Sequence, residues 1–131
     1  MCILKIISNT ESFKAFASDN PDIVFRVREK GEVRRKSTGE LFPSFILSLK
    51  ASDKDWDDLK GQIDDAIDFL DENFETLKSL LETHEVEDSF LDFPVESRLS
   101  DEIGNQNDYL PKELIKLAGK LDLAIVISNY L

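Results

Sequence analysis

The sequence predicts an α+β fold: a mostly antiparallel sheet with helices packed on one face, on a ferredoxin-like βαββαβ plan with an added C-terminal helix and strand. Five short runs of apolar or alternating residues are typical of strands, and three stretches between them have apolar residues at helical spacing. Their order is strand, short helix, strand, strand, long helix, strand, helix, strand. The 131 residues suit one domain, so we expect a single domain over 1–131.

The first third of the chain predicts three strands, a short helix and a hairpin loop. Residues 2–7 are apolar on both faces, which is typical of a strand covered on both sides. Aromatic residues at helical spacing predict a short helix within 10–20, ended by the first proline. Apolar residues alternate over 23–28, as in a strand with one face toward the core. A polar, glycine-containing hairpin loop over 30–43 then leads to a strand over 44–49.

The strongest periodicity predicts a long helix. From Trp56 to Leu81 apolar residues recur at spacings of three and four, and Ser52 or Asp53 is the expected N-cap. Without a break this helix would reach Thr83 and would be about 40 Å long at about 1.5 Å per residue. That exceeds what a compact domain of this size needs, so we expect a bend near 71–73.

The last third predicts a strand, a loop, a helix and a closing strand. The strand over 90–95 contains Pro94, which cannot donate to a ladder and therefore predicts an edge strand or a bulge. A polar loop follows over 100–108, and Pro111 suits the first position of the next helix. Residues 123–127 are apolar on both faces, which predicts a central strand.

Composition excludes several classes of protein. One Cys cannot form an intrachain disulfide or a multi-thiolate metal site, so disulfide scaffolds, zinc ribbons and iron–sulfur proteins are excluded. No apolar run approaches the 18 or so residues of a membrane span, and the apolar N-terminal run is too short for a signal peptide. We therefore expect a cytoplasmic protein without a membrane partner.

Charge is divided unevenly along the chain. Of 27 acidic and 16 basic residues, the segment 53–102 holds 18 acids and 4 bases, net −14, whereas the rest has net +3. Five acids of the long helix lie three or four positions apart, a spacing at which like charges repel. Lys112, Lys116 and Lys120 on the next helix could offset them; alternatively, the acids form a surface for a basic partner. These candidate residues are Asp64, Asp68, Asp71, Glu72 and Glu75.

A basic cluster lies on the second strand and its hairpin loop and includes Arg34, Arg35 and Lys36. The loop has no interleaved aromatic residue to stack on bases, and the net charge of −11 repels a polyanion. We therefore expect no nucleic-acid partner. The cluster is either a solvated hairpin or a docking loop for an acidic protein surface.

Few residues are of the types that carry catalysis. His84 follows the long helix, where a helix-terminal role is expected, and Cys2 lies in an apolar strand. Asp53, Asp55, Asp57 and Asp64 resemble calcium-loop spacing but lack the glycine at the sixth position and the glutamate at the twelfth. We therefore expect no catalytic residue, no metal site and no cofactor.

Several landmarks together resemble the bacterial domain-of-unknown-function family 4279, although Phe45 stands where that family usually has tryptophan. The resemblance implies a small bacterial α+β protein without an established activity. The landmarks are the first strand and short helix ending at Pro21, the Lys30-Gly31-Glu32 turn, Phe45 to Leu49, Trp56-Asp57-Asp58-Leu59, Leu110-Pro111-Lys112-Glu113-Leu114 and Ile127-Ser128-Asn129-Tyr130.

The leading functional hypothesis is a non-catalytic, immunity- or inhibitor-like module that binds a basic protein through the acidic helix and the segment 82–102. One alternative is a small-molecule or divalent-metal-dependent enzyme that uses carboxylates. Another is a homodimeric structural protein joined through an exposed strand edge, so the sequence leaves monomer and homodimer open.

Overall fold

Residues 1–130, which a computed structural model of the protein describes, form seven strands and four helices. The elements are β1 (Cys2–Ser8), α1 (Lys14–Asp19), β2 (Arg26–Arg28), β3 (Val33–Arg35), β4 (Glu40–Leu41), β5 (Phe45–Ser52), α2 (Leu59–Glu72), α3 (Phe74–Thr83), β6 (Asp88–Glu96), α4 (Lys112–Lys120) and β7 (Ala124–Tyr130).

Five strands form one sheet in the order β2-β5-β1-β6-β7. All neighbours are antiparallel except β6 and β7, which are parallel because α4 carries the chain back across the sheet. β3 and β4 form a separate two-stranded ribbon within the predicted hairpin loop, and this pairing was not predicted. The α+β class and the mostly antiparallel sheet are confirmed.

The core lies between one sheet face and the helices. Leu4 on β1 is level with Leu49 on β5 and Leu91 on β6, and all three are buried beneath α2. Helix α2 adds Leu70, and Phe13, which directly precedes α1, belongs to the same cluster. The opposite sheet face is not covered by any helix of the described chain. The expectation that 2–7 is covered on both sides is therefore wrong, since the open side of β1 is partly exposed.

The predicted positions of two strands need correction. The predicted central strand over 123–127 is an edge strand that begins at Ala124, because β7 pairs with β6 alone and Val126 on its outer face is 37% exposed. Conversely, the strand that contains Pro94 lies inside the sheet. Pairing with β1 ends at Asp92, so Pro94 has a strand neighbour only on the β7 side, opposite Ser128, and its missing N–H costs no bond to β1.

The bend in the long helix is confirmed at Asn73, between the end of α2 and the start of α3. The predicted caps are wrong: Asp58 caps α2 by accepting from the Gly61 N–H at 2.8 Å. β5 instead continues to Ser52, whose buried hydroxyl donates to Asp65 Oδ2 at 2.7 Å. Residues 53–58 consequently form a loop between β5 and α2.

The end of α4 has a defined geometry. The Leu123 N–H donates to the Ala118 carbonyl at 2.8 Å and the Asp122 N–H to the Gly119 carbonyl at 3.2 Å, the two bonds of a Schellman motif. Asp122 has a φ of 54°, in the left-handed region that glycine usually occupies in this motif. Within residues 1–130, no helix has both the length and the apolar character that crossing a bilayer requires.

Candidate acidic groove

A groove of about 490 Å³ lies between α2 and the segment that leads into α4. Its floor is apolar because Leu59, Ile63 and Ile67 occupy one side of α2. Pro111 and Tyr109 line the opposite wall, and Tyr109 is 79% exposed. We call this feature the acidic groove because its rim is mainly carboxylates.

Five carboxylates line the rim, and their partners differ. Asp58 is used as the α2 cap, and Asp64 pairs with Lys60 at 2.8 Å on the exposed helix surface. Asp108 accepts from Arg98 at 2.8 Å, and this hydrogen bond holds the pKa of the Asp108 carboxyl below its ordinary value. The other two rim acids form no ion pair with any described residue; all five are Asp57, Asp58, Asp64, Asp108 and Glu113.

The five predicted acids of the long helix form one exposed strip along α2 and the start of α3, here called the acidic ridge. Only Asp64 forms an ion pair with a described residue, and that partner is Lys60 of the same helix. Asp64 also lines the groove, so ridge and groove are continuous. The ridge consists of Asp64, Asp68, Asp71, Glu72 and Glu75.

The lysines of α4 do not neutralise the ridge directly. Lys120 lines a second depression, of about 340 Å³, together with Asp71, Glu72 and Glu75. No N–O distance in this depression is within the 4.0 Å of an ion pair, and Lys112 and Lys116 likewise pair with no described acid. The negative charge of the ridge therefore faces solvent.

The hairpin part of the predicted basic cluster lies on the β3–β4 ribbon. Arg34 and Arg35 contact Glu40 at 3.5 and 3.6 Å, and Lys36 is exposed at the turn. The Arg34 guanidinium also lies over the Phe42 ring, 5.9 Å from its centroid, so an aromatic residue that the sequence argument did not include does support the cluster. Among the described residues, no ion pair joins the ribbon to the acidic ridge.

The residues of catalytic type have structural positions. The His84 Nδ1 lies 3.0 Å from the Leu80 carbonyl at the end of α3, and its ring stacks on Phe13 at 5.4 Å. Cys2 is fully buried, and this burial raises the pKa of its thiol to about 12, so the thiol is neutral at pH 7. Within the described chain, no group of three or more His, Cys, Asp or Glu side chains is placed to hold a metal ion.

Sequence reasoning identified one wall of the groove and missed the other. Asp64 and the apolar side of the helix followed from periodicity, whereas Asp108, Tyr109 and Glu113 lie about 45 residues further along the chain and meet α2 only in the folded protein. The available indication in the sequence was Tyr109, an aromatic residue that follows a polar segment and lies two positions before Pro111. Comparison with known protein families, curated protein sequences and solved structures finds no match, so function is inferred from the chain's own residues.

Proposed function

We propose that the protein is a non-catalytic binding module that takes a basic protein partner on the acidic ridge and in the acidic groove. The observation that supports this most directly is an apolar floor bordered by five carboxylates, of which only Asp64 and Asp108 are ion-paired within the described chain. A run of charged side chains on a surface usually only contacts water and does not by itself indicate a binding site. An apolar floor beside it adds an area that gains from being removed from water.

The chemistry of the groove suits lysine and arginine side chains. Such a side chain has an apolar stem, which can lie along Leu59 and Ile67, and a cationic head, which can reach the rim at Asp57 or Glu113. The flat ring of Tyr109 offers a further surface for a guanidinium or ammonium group. A basic segment with apolar residues between its charges therefore fits better than an uninterrupted run of lysines.

The ridge contributes mainly to the speed of association. Its carboxylates are exposed, so each contact with a partner cation has only a small net energy. Their summed field nevertheless attracts a basic surface and raises association rates by roughly 10–10³-fold at low salt. An immunity- or inhibitor-like role, in which these carboxylates cover a basic functional surface, fits this charge distribution.

The experiment combines capture with kinetics. Tagged protein captures partners from a lysate of the source organism, and stopped-flow mixing with the identified basic partner gives the association rate. The triple variant D64S/D68S/E72S should associate about tenfold more slowly at low salt. The difference should disappear near 0.3 M salt, where the Debye length is only several ångströms.

The matched control removes three acids away from the ridge and groove, in the variant D19S/D22S/E32S. All three positions are exposed, and none forms an ion pair with a described residue. Y109A tests the groove separately: it should raise the dissociation rate and leave the association rate nearly unchanged. Equal low-salt association rates for the ridge variant and the control contradict the proposal.

A further inference from the structure

The sheet face opposite the helices, here called the open face, carries apolar side chains on four neighbouring strands. Strand alternation puts them there because the buried residues of each strand point to the helices. No helix of the described chain packs over them. They are Ile3, Ile7, Ile46, Phe90 and Val126.

Charge on the open face is divided between its two halves. Arg26, Arg28 and Lys50 lie on the β2 and β5 side, Lys5 lies on the central strand β1, and Asp88, Asp92 and Glu96 lie on β6. Lys50 contacts Asp53 at 2.8 Å, and both side chains are at least half exposed. The other charged groups of the face form no ion pair with any described residue. The face is thus basic from β2 to β1 and acidic on β6.

Such a face is complementary to itself under one symmetry. A two-fold axis parallel to β1, between two facing sheets, lays β5 of each copy over β6 of the other. Residues Lys50 and Asp92 are both level with Ile3, one on each side of β1. In such a pair Lys50 would face Asp92 of the partner subunit, and this contact would occur twice. Between the two contacts, Lys5 on the axis would face Lys5 of the partner subunit, so two opposite-charge contacts would outweigh one like-charge contact. A perpendicular axis would instead bring β5 onto β5 and oppose like charges.

We propose that two copies of this chain associate face to face through the open face. The five strands at about 4.8 Å spacing, with about seven residues of about 3.3 Å each on average, give roughly 550 Å² per copy, or about 1,100 Å² in total. This lies near the lower end of specific interfaces, so the dimer is reversible at micromolar concentrations. The two sheets pack about 10 Å apart, and both acidic grooves remain on the outside.

The test is sedimentation velocity over 5–300 µM protein in buffer of 0.15 M salt, which screens the repulsion between two chains of net charge −11. K50E and D92K should each raise the dimer dissociation constant by about tenfold or more, because each places like charges at both contacts. Mixing the two variants should restore dimerisation, since both of these contacts then join opposite charges. This restoration depends on the register and not merely on surface charge.

Controls keep the result interpretable. K78E and E82K change exposed charges on α3 and should leave the dimer unchanged. Because Asp92 accepts from Ser128 Oγ at 2.6 Å, V126D at an exposed position provides a second disruption that leaves this hydrogen bond intact. A wild-type mass of 14.9 kDa at every concentration overturns the proposal, as does a variant mixture that stays monomeric. The ridge variant D64S/D68S/E72S should dimerise normally, so this proposal and the proposed function fail independently.

Discussion

Gln62 allows the interior of the fold to be tested quantitatively. Its side chain is fully buried on α2, and its Nε2 donates to the Asp55 carbonyl at 3.0 Å and the Pro94 carbonyl at 2.9 Å. It therefore joins the loop before α2 to β6. Its Oε1 has no hydrogen-bond partner among the described residues.

Two substitutions of similar size separate hydrogen bonding from charge. Q62M removes both hydrogen bonds and should lower the free energy of unfolding by about 1–2 kcal/mol, since each bond contributes roughly 1 kcal/mol. The Asp55 carbonyl is not left without a partner, because it still accepts from the Asp58 N–H at 3.1 Å. Q62E adds a buried carboxylate that faces two carbonyls. If burial raises the pKa of this carboxyl by about two units, Q62E loses roughly a further 3 kcal/mol at pH 7.

The assay is urea unfolding of wild type, Q62M and Q62E at pH 5 and pH 7, followed by circular dichroism. The raised pKa belongs to the folded state, so the unfolded chain releases this proton at lower pH and Q62E loses stability as pH rises above about 4.3. At pH 7 the free energy of unfolding of Q62E should therefore be clearly lower than that of Q62M, and at pH 5 most of this difference should disappear. If the two variants differ in free energy of unfolding by the same amount at pH 5 and pH 7, water reaches this site and the reasoning is refuted.

Two further predictions concern local geometry and acid stability. D122G should stabilise the protein by about 1 kcal/mol, because glycine adopts the left-handed conformation after α4 without the cost that an L-residue has there. Thermal unfolding checks this, and an unchanged or lower midpoint temperature would contradict it. Arg98 lowers the pKa of Asp108, so the pair contributes stability at neutral pH that is lost as pH falls through the lowered pKa. R98Q should therefore be less stable than wild type at pH 6, with the difference shrinking toward pH 2 in urea titrations.

The sequence indicated elements with a strong local pattern most accurately. The apolar period from Trp56 to Leu81 predicted the long helix, and its excessive length predicted the bend now located at Asn73. Its start was misplaced because pairing with Cys2 extends β5 to Ser52, a contact between residues 50 positions apart. The residue preferences for a helix N-cap are local and carry no information about such a contact.

The position of a strand in the sheet was harder to predict. Residues 123–127 are apolar on both faces and look like a central strand, but β7 is at the edge because no later strand adds to it within the described chain. The groove was missed for a similar reason, since Tyr109 and Ile67 become neighbours only when α4 packs beside α2. The apolar pattern of a segment identifies the face that will be buried. Which other segment covers that face depends on the topology of the whole fold.

The parallel pairing of β6 with β7 has a consequence for the order of folding. Until β7 has docked, β6 is an edge strand with unpaired backbone groups, although the other four strands of the sheet are in place. β7 completes the sheet only after α4 has crossed it. The folding chain is therefore most exposed to strand-mediated aggregation between the pairing of β6 with β1 and the docking of β7.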